Sequence, residues 1–359
     1  MQIYNLGAID MKIDKSFGLS SYFLYRYGFD ENISISNKFP NHIEDISLKR
    51  TKVKNSKELE LALKNKMHKA TEDGNAALAL SGGIDSAILA KFMPEGSVAY
   101  TFRCIIPGVK VTDETKRAAH HAKSCNLEHR IIDITWEDVE KTIVPLMKHK
   151  GGPIHSIESQ IYMGALKAKE DGFDKFIFGE TADIIYGGLD GLLQKDWLFN
   201  EFVDRYSYIK PYYVLKNPKL PLEPFYEFEK DGHIDPHDFI NKYLRQEALG
   251  SYNNACDTAG IKFVAPYSET VMACPIDYSR IRSGDTKYLV REIFNRLYKG
   301  QKPHKKIPMP RPVNEWFADW KGPTRPEFIP HCTDNMSGDQ KWMVWCAEKY
   351  LELIDKSEE

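Results

Sequence analysis

Residues 76–93 constrain the fold more than any other segment. An apolar run, Ala76-Ala77-Leu78-Ala79-Leu80, passes through Ser81-Gly82-Gly83-Ile84-Asp85-Ser86 straight into the helical stretch SAILAKFM. A strand that turns at once into a helix gathers several backbone N–H groups and the positive end of the helix dipole around one point. Gly82 and Gly83 permit a close approach that a Cβ would obstruct, and Ser81 and Ser86 add hydroxyl donors. Such a point suits a polyphosphate. The lysine of a Walker loop is missing, which argues against transfer of a γ-phosphate. Asp85 would repel phosphates unless a divalent cation lay between them, so it reads as a Mg2+ ligand.

The strand and helix alternation continues to about residue 193. Strands are expected over 97–102, 129–134 and 175–178. Helices are expected over 55–69, 113–124 and 157–170, and another opens at the capping-box pattern Thr135-Trp136-Glu137-Asp138. The repetition predicts an α/β fold, a parallel sheet flanked by helices on both faces, with a mostly helical C-terminal region. Three parts are read: a loosely strand-like preamble over 1–55, centred on the aromatic run 21–27; a phosphate-binding α/β core over 56–200; and a helical part over 201–359, with helices near 285–298 and 341–353.

Composition narrows the partners. A net charge of −2 gives no global field toward nucleic acid, and the basic loop over 299–311 reads as a solvated loop. No apolar run is long enough to span a bilayer and no leader pattern opens the chain, so a cytoplasmic protein without membrane contact is expected. Six scattered cysteines with no CxxC pair predict reduced thiols rather than disulfides or a zinc site.

The loop Ser81-Gly82-Gly83-Ile84-Asp85-Ser86 resembles the pyrophosphate loop of the N-type ATP pyrophosphatases, whose fold is adenine nucleotide α-hydrolase-like, or PP-loop. Five further motifs, in order, resemble the synthetase domain of the asparagine synthetase and β-lactam synthetase family. They are Asp113-Glu114 with Ala118 and Ala122; Gly152-Pro153-Ile154; the acidic loop from Gly179-Glu180-Thr181-Ala182-Asp183 to Gly187-Gly188; Val264-Ala265-Pro266-Tyr267; and Lys306 with Met309, Pro312 and Trp316. The resemblance spans about residues 56–353 and makes 56–200 a PP-loop ATP-binding core.

The resemblance implies ATP and Mg2+ as cofactors. A substrate carboxylate or carbonyl would be adenylated with loss of pyrophosphate, and an amine or ammonia would then form an amide and release AMP. Ser81, Gly82, Gly83, Asp85, Ser86, Phe102 and Gly179 would hold the nucleotide, Asp85 and Asp183 the metal. Glu180 would orient the amine or shuttle a proton, and Lys306 would stabilise the developing negative charge. Tyr186, Tyr267 and Trp316 are candidates for the pocket wall.

Three departures qualify these expectations. Gln2 stands where the family's glutaminase has its nucleophilic cysteine, and the preamble is too short for such a domain. Nitrogen is therefore expected as free ammonia, from a separate donor protein, or as an amine on the substrate. Ile184 replaces a second acid and Pro308 a glycine, which points away from aspartate as the acceptor. Two alternatives remain. In one, Cys104, activated by Arg103, transfers sulfur from a donor protein to an adenylated nucleobase-like carbonyl; in the other, the chain is a nucleotide-binding pseudoenzyme partner. A homo-oligomer is left open.

Overall fold

The computed structural model describes residues 11–46, 49–303 and 308–357. Its first helix corrects the strand-like reading of the preamble. α1 (Lys15–Tyr25) is capped by Asp14, whose carboxylate accepts from Phe17 N at 3.0 Å. Leu19, Tyr22 and Phe23 enter one core while Leu24 and Tyr25 enter another. A helix buried on nearly all sides shows no 3.6-residue period, and aromatic residues favour strands in isolation, so tertiary packing overrides the local signal. Tyr22 Oη donates to Ile154 O at 3.1 Å and Tyr25 Oη to Pro221 O at 2.8 Å, which ties this segment to distant loops.

α2 (Ser56–Thr71) follows, capped by Asn55, with Leu59, Leu63 and Met67 buried at i, i+4 and i+8. Then come β1 (Ala76–Ala79), α3 (Ile84–Ala90), β2 (Val98–Cys104), α4 (Thr115–Ser124) and β3 (Glu128–Ile134). α5 (Trp136–Lys150) carries the expected capping box: Asp138 N donates to Thr135 Oγ1 at 3.2 Å and Thr135 N to Asp138 Oδ2 at 3.1 Å. α6 (Glu158–Glu170), β4 (Lys175–Ile177) and the short α7 (Ala182–Ile185) complete the part read as the core. The rest is mostly helical, with α8 (Arg245–Ala259), α9 (Tyr288–Leu297) and α10 (Gly338–Lys356). It also supplies β5 (Lys262–Val264), a strand the sequence reading missed.

The five strands run parallel in the order β5-β4-β1-β2-β3. Alternation within β1 directs Ala76 and Leu78 to one layer and Ala77 to the other. α2, α3 and α9 cover the first face, through residues such as Leu63, Ile88 and Ile293; α5, α6 and α10 cover the second, through Leu146, Ile161 and Trp342. The strand order reverses between β1 and β4, and open parallel sheets bind ligands at the carboxyl ends of strands at such a point. No helix among the described residues is long and apolar enough to cross a membrane.

Candidate active site

A cavity of about 320 Å3 opens at that reversal. Ser81, Asp85 and Ser86 reach it from beyond β1, and Gly179, Glu180 and Asp183 from beyond β4. Phe102, Phe178 and Tyr252 form an aromatic wall, and Pro308, Met309 and Arg311 close another side.

The glycine loop is tightly bonded to itself. Ser81 N donates to Ser86 Oγ at 3.0 Å, the Ser81 and Ser86 hydroxyls are 2.9 Å apart, and Gly83 N donates to Ser81 Oγ at 3.1 Å. Gly82 N, expected to face a phosphate, donates to Glu114 Oε2 at 2.9 Å. A Cβ on Gly82 would stand 2.8 Å from Arg117 Cβ, so this glycine serves close packing against α4. Gly179 serves the same end across the sheet: a Cβ there would meet Ser86 N at 2.9 Å. Tyr267 Oη fixes the first turn of α3 by donating to Asp85 O at 3.2 Å.

Asp85 and Asp183 meet on one cation, Lys287. Its ammonium lies 2.8 and 2.6 Å from the Asp85 carboxylate oxygens and 3.0 Å from Asp183 Oδ1. Burial works to lower its pKa, but the carboxylates of Asp85 and Asp183 outweigh that and hold it above the ordinary lysine value. The backbone is shaped for this contact. Thr181 at φ +70° turns the chain from β4 into α7, and Gly187 at φ +76° accepts the Lys287 N–H at 3.3 Å. At Gly188 a Cβ would fall 1.9 Å from Asp183 Oδ1 and 2.7 Å from Lys287 Cδ.

The pair of carboxylates fits Mg2+, a hard cation that is commonly held by one or two carboxylates together with substrate phosphates. Among the described residues no group of three or more His, Cys, Asp or Glu is suited to a metal, so a cation held by Asp85 and Asp183 would complete its shell on phosphate oxygens and water. Glu180 faces the same cavity. Burial pushes the Tyr252 hydroxyl well above its usual range, and the Glu180 carboxylate hydrogen-bonded to it adds to the shift. Arg311 is held by Ser156 Oγ at 2.6 Å from Nε and by Asp339 Oδ1 at 2.8 Å from Nη2.

The sequence profile of asparagine synthase matches residues 57–252, more than half of the chain. The chain belongs to the asparagine synthase family. Membership brings ATP use and a PP-loop synthetase core. No curated protein matches the sequence. Among solved structures, an NMN synthetase from Francisella tularensis is similar at 15% identity and a TM-score of 0.27, covering 70% of this chain and 98% of its own. An NH3-dependent NAD synthetase from Campylobacter jejuni is similar at 14% identity and 0.25, covering 71% and 100%. A tRNA thiolase from Methanococcus maripaludis is similar at 16% and 0.23, covering 69% and 82%.

Within this asparagine synthase family member, Ser81, Asp85, Ser86, Phe102, Gly179, Glu180 and Asp183 all line the cavity, whereas Gly82 and Gly83 do not. Lys306 lies outside the described residues; Pro308 and Met309, just after it, line the cavity. Ile184 does not: it is buried in the core beside the sheet. Tyr186, Tyr267 and Trp316 also stand off the wall; Tyr186 donates to Thr270 Oγ1 at 2.6 Å, and Trp316 packs on Trp136. Cys104 is buried. Burial pushes its thiol up to about 12, and Arg103 pairs with Asp133 at 2.8 Å.

Lys287, Glu114, Tyr252 and Arg311 were not assigned roles from sequence. For Lys287 one signal existed: it is the N-cap residue of α9, an end where the helix dipole disfavours a cation, so a lysine there needs an acidic partner.

Proposed function

We propose that this protein is an AMP-forming ligase that adenylates a small-molecule carboxylate, or a carbonyl oxygen, and passes it to an amine or ammonia to make an amide. The observation that carries the reading is the convergence of Asp85 and Asp183 on one cation at the β1–β4 reversal, beside the Ser81 and Ser86 hydroxyls and in one cavity with Glu180.

Attack of the substrate oxygen on the α phosphorus breaks the bond to the bridging oxygen, and pyrophosphate leaves with the electron pair. Charge then grows on phosphate oxygens, where fixed donors and cations lower the barrier more than a strong base would. Ser81 and Ser86 supply hydroxyls at the cavity wall, and Lys287 is a buried ammonium behind Asp85 and Asp183. Asp85 and Asp183 would hold Mg2+, which supplies counter-charge to the leaving pyrophosphate. In the second half-reaction the amine nitrogen attacks the acyl carbon and AMP leaves. Glu180, kept in place by the Tyr252 hydroxyl, takes the proton released from the nitrogen. Lys306, through the family resemblance, would supply a further cation for the developing negative charge.

Oxygen-18 tests this chemistry. When pooled carboxylates carry the label and ammonia is supplied, the proposal expects labelled AMP. Nucleotide cleavage that yields unlabelled AMP or ADP would count against carboxylate adenylation.

A further inference from the structure

Glu114 immediately precedes α4, yet its side chain does not cap that helix. Asp113 meets the helix end instead, with Oδ1 accepting Thr115 N at 2.7 Å. The Glu114 side chain reaches across 32 residues of sequence to the phosphate loop, where Oε2 accepts Gly82 N at 2.9 Å. It is 7% exposed and borders the cavity. Gly82 leaves room for the contact, since its missing Cβ would stand 2.8 Å from Arg117 Cβ and 3.3 Å from Glu114 Oε2.

A bond from an amide to a buried carboxylate belongs to the stronger, charge-assisted class, and removing the acceptor would strand a buried N–H. This bond is also the first in a short chain. Gly82 is tied to Glu114, Gly83 N to the Ser81 hydroxyl, and the Ser81 and Ser86 hydroxyls to each other. A shift at Gly82 therefore moves both hydroxyls that face the cavity. Burial holds the Glu114 carboxyl above its ordinary value, and the Gly82 N–H and the charge of Arg117, on the same turn, offset part of that rise.

We propose that Glu114 is a positioning residue for the nucleotide: by keeping the Gly82 N–H it withholds that donor from phosphate and fixes the loop so that the Ser81 and Ser86 hydroxyls meet the pyrophosphate. The inference rests on the nucleotide reading of the same cavity. It distinguishes Glu114 from a competing anion, which would have to leave Gly82 before phosphate could bind.

The experiment is calorimetric titration of ATP with Mg2+ into the wild-type protein and into Glu114→Gln, Glu114→Asp and Glu114→Ala, with the melting temperature of each recorded. Gln keeps an acceptor oxygen at the same reach, Asp draws it back by one methylene, and Ala removes it. Positioning predicts that Gln binds within about threefold of wild type while Asp and Ala bind at least about tenfold more weakly. Should Ala fail to fold, the contrast between Gln and Asp decides. Tighter binding by Gln and Ala would overturn the proposal in favour of a competing anion, and equal binding by all four would overturn it in favour of a purely structural carboxylate. If wild type itself binds no ATP, the nucleotide reading falls and this inference with it.

Discussion

The Lys287 ammonium lies between two carboxylates from opposite sides of the sheet reversal, 2.6 Å from Asp85 Oδ2 and 3.0 Å from Asp183 Oδ1. With only 8% of its side chain exposed, Lys287 is the buried counter-charge that the two acids share. Replacing it by Met leaves two neighbouring acids without that charge. Lys287→Met should lose about 3 kcal/mol of stability in the presence of a chelator and recover part of it with Mg2+, measured by urea unfolding. Equal unfolding midpoints for variant and wild type would contradict the role.

That contribution has a defined pH window. The folded pKa of Lys287 is raised, so its stabilisation is complete below the ordinary value of 10.5 and is lost as pH rises through the folded value. The stability gap between wild type and Lys287→Met should stay level from about pH 7 to about pH 9 and shrink only in stronger alkali. A gap that closes between pH 7 and 9 in unfolding titrations would mean the ammonium is not held by its acids.

Gly188→Ala tests the shape of the same contact. The added Cβ would fall 1.9 Å from Asp183 Oδ1, 2.7 Å from Lys287 Cδ and 2.8 Å from Asp183 Cα, so both side chains and the backbone that carries the carboxylate must shift. It should cost about 1–3 kcal/mol and most of the activity. Gly250→Ala, within α8 where a Cβ meets nothing within 4 Å, should instead leave stability unchanged or raised by up to about 1 kcal/mol. Thermal melts of the two variants side by side read the difference.

Glu180→Gln should separate the two half-reactions. If Glu180 takes a proton from the amine, exchange of labelled pyrophosphate into ATP should survive within about threefold, while amide formation falls by about a hundredfold or more. Equal loss of both would place Glu180 in adenylation.

Thiol reactivity checks the position of Cys104. Burial raises its pKa to about 12, so at pH 8 it stays protonated. An aromatic disulfide reagent at that pH should modify exposed Cys274 rapidly and leave Cys104 untouched until the protein unfolds. Native-state labelling of Cys104, located by peptide mapping, would reopen the sulfur-transfer alternative.

Much of this architecture was legible because its signals are local. The alternating runs of β1 to β4, the Thr135 capping box and the spacing of Leu59, Leu63 and Met67 each depend on neighbours within a few residues. α1 was misread because burial on nearly every side erased its period, and β5 was missed because three residues carry too little pattern to be told from a loop. At the cavity, Asp85, Glu180 and Asp183 were singled out through motifs. Lys287 was not, because its partner Asp85 is 202 residues away and only the folded sheet brings them together. Ile184 was expected to shape the pocket, but the four-residue α7 turns Asp183 toward the cavity and Ile184 into the core.

The most direct test of the central claim is the identity of the products when purified protein, ATP, Mg2+ and pooled carboxylates are combined with and without ammonia, beside Asp183→Ala. The account predicts AMP and pyrophosphate in equal amounts from wild type, reduced at least about a hundredfold in the variant. ADP and phosphate in their place would contradict cleavage between the α and β phosphates and the function proposed for this site.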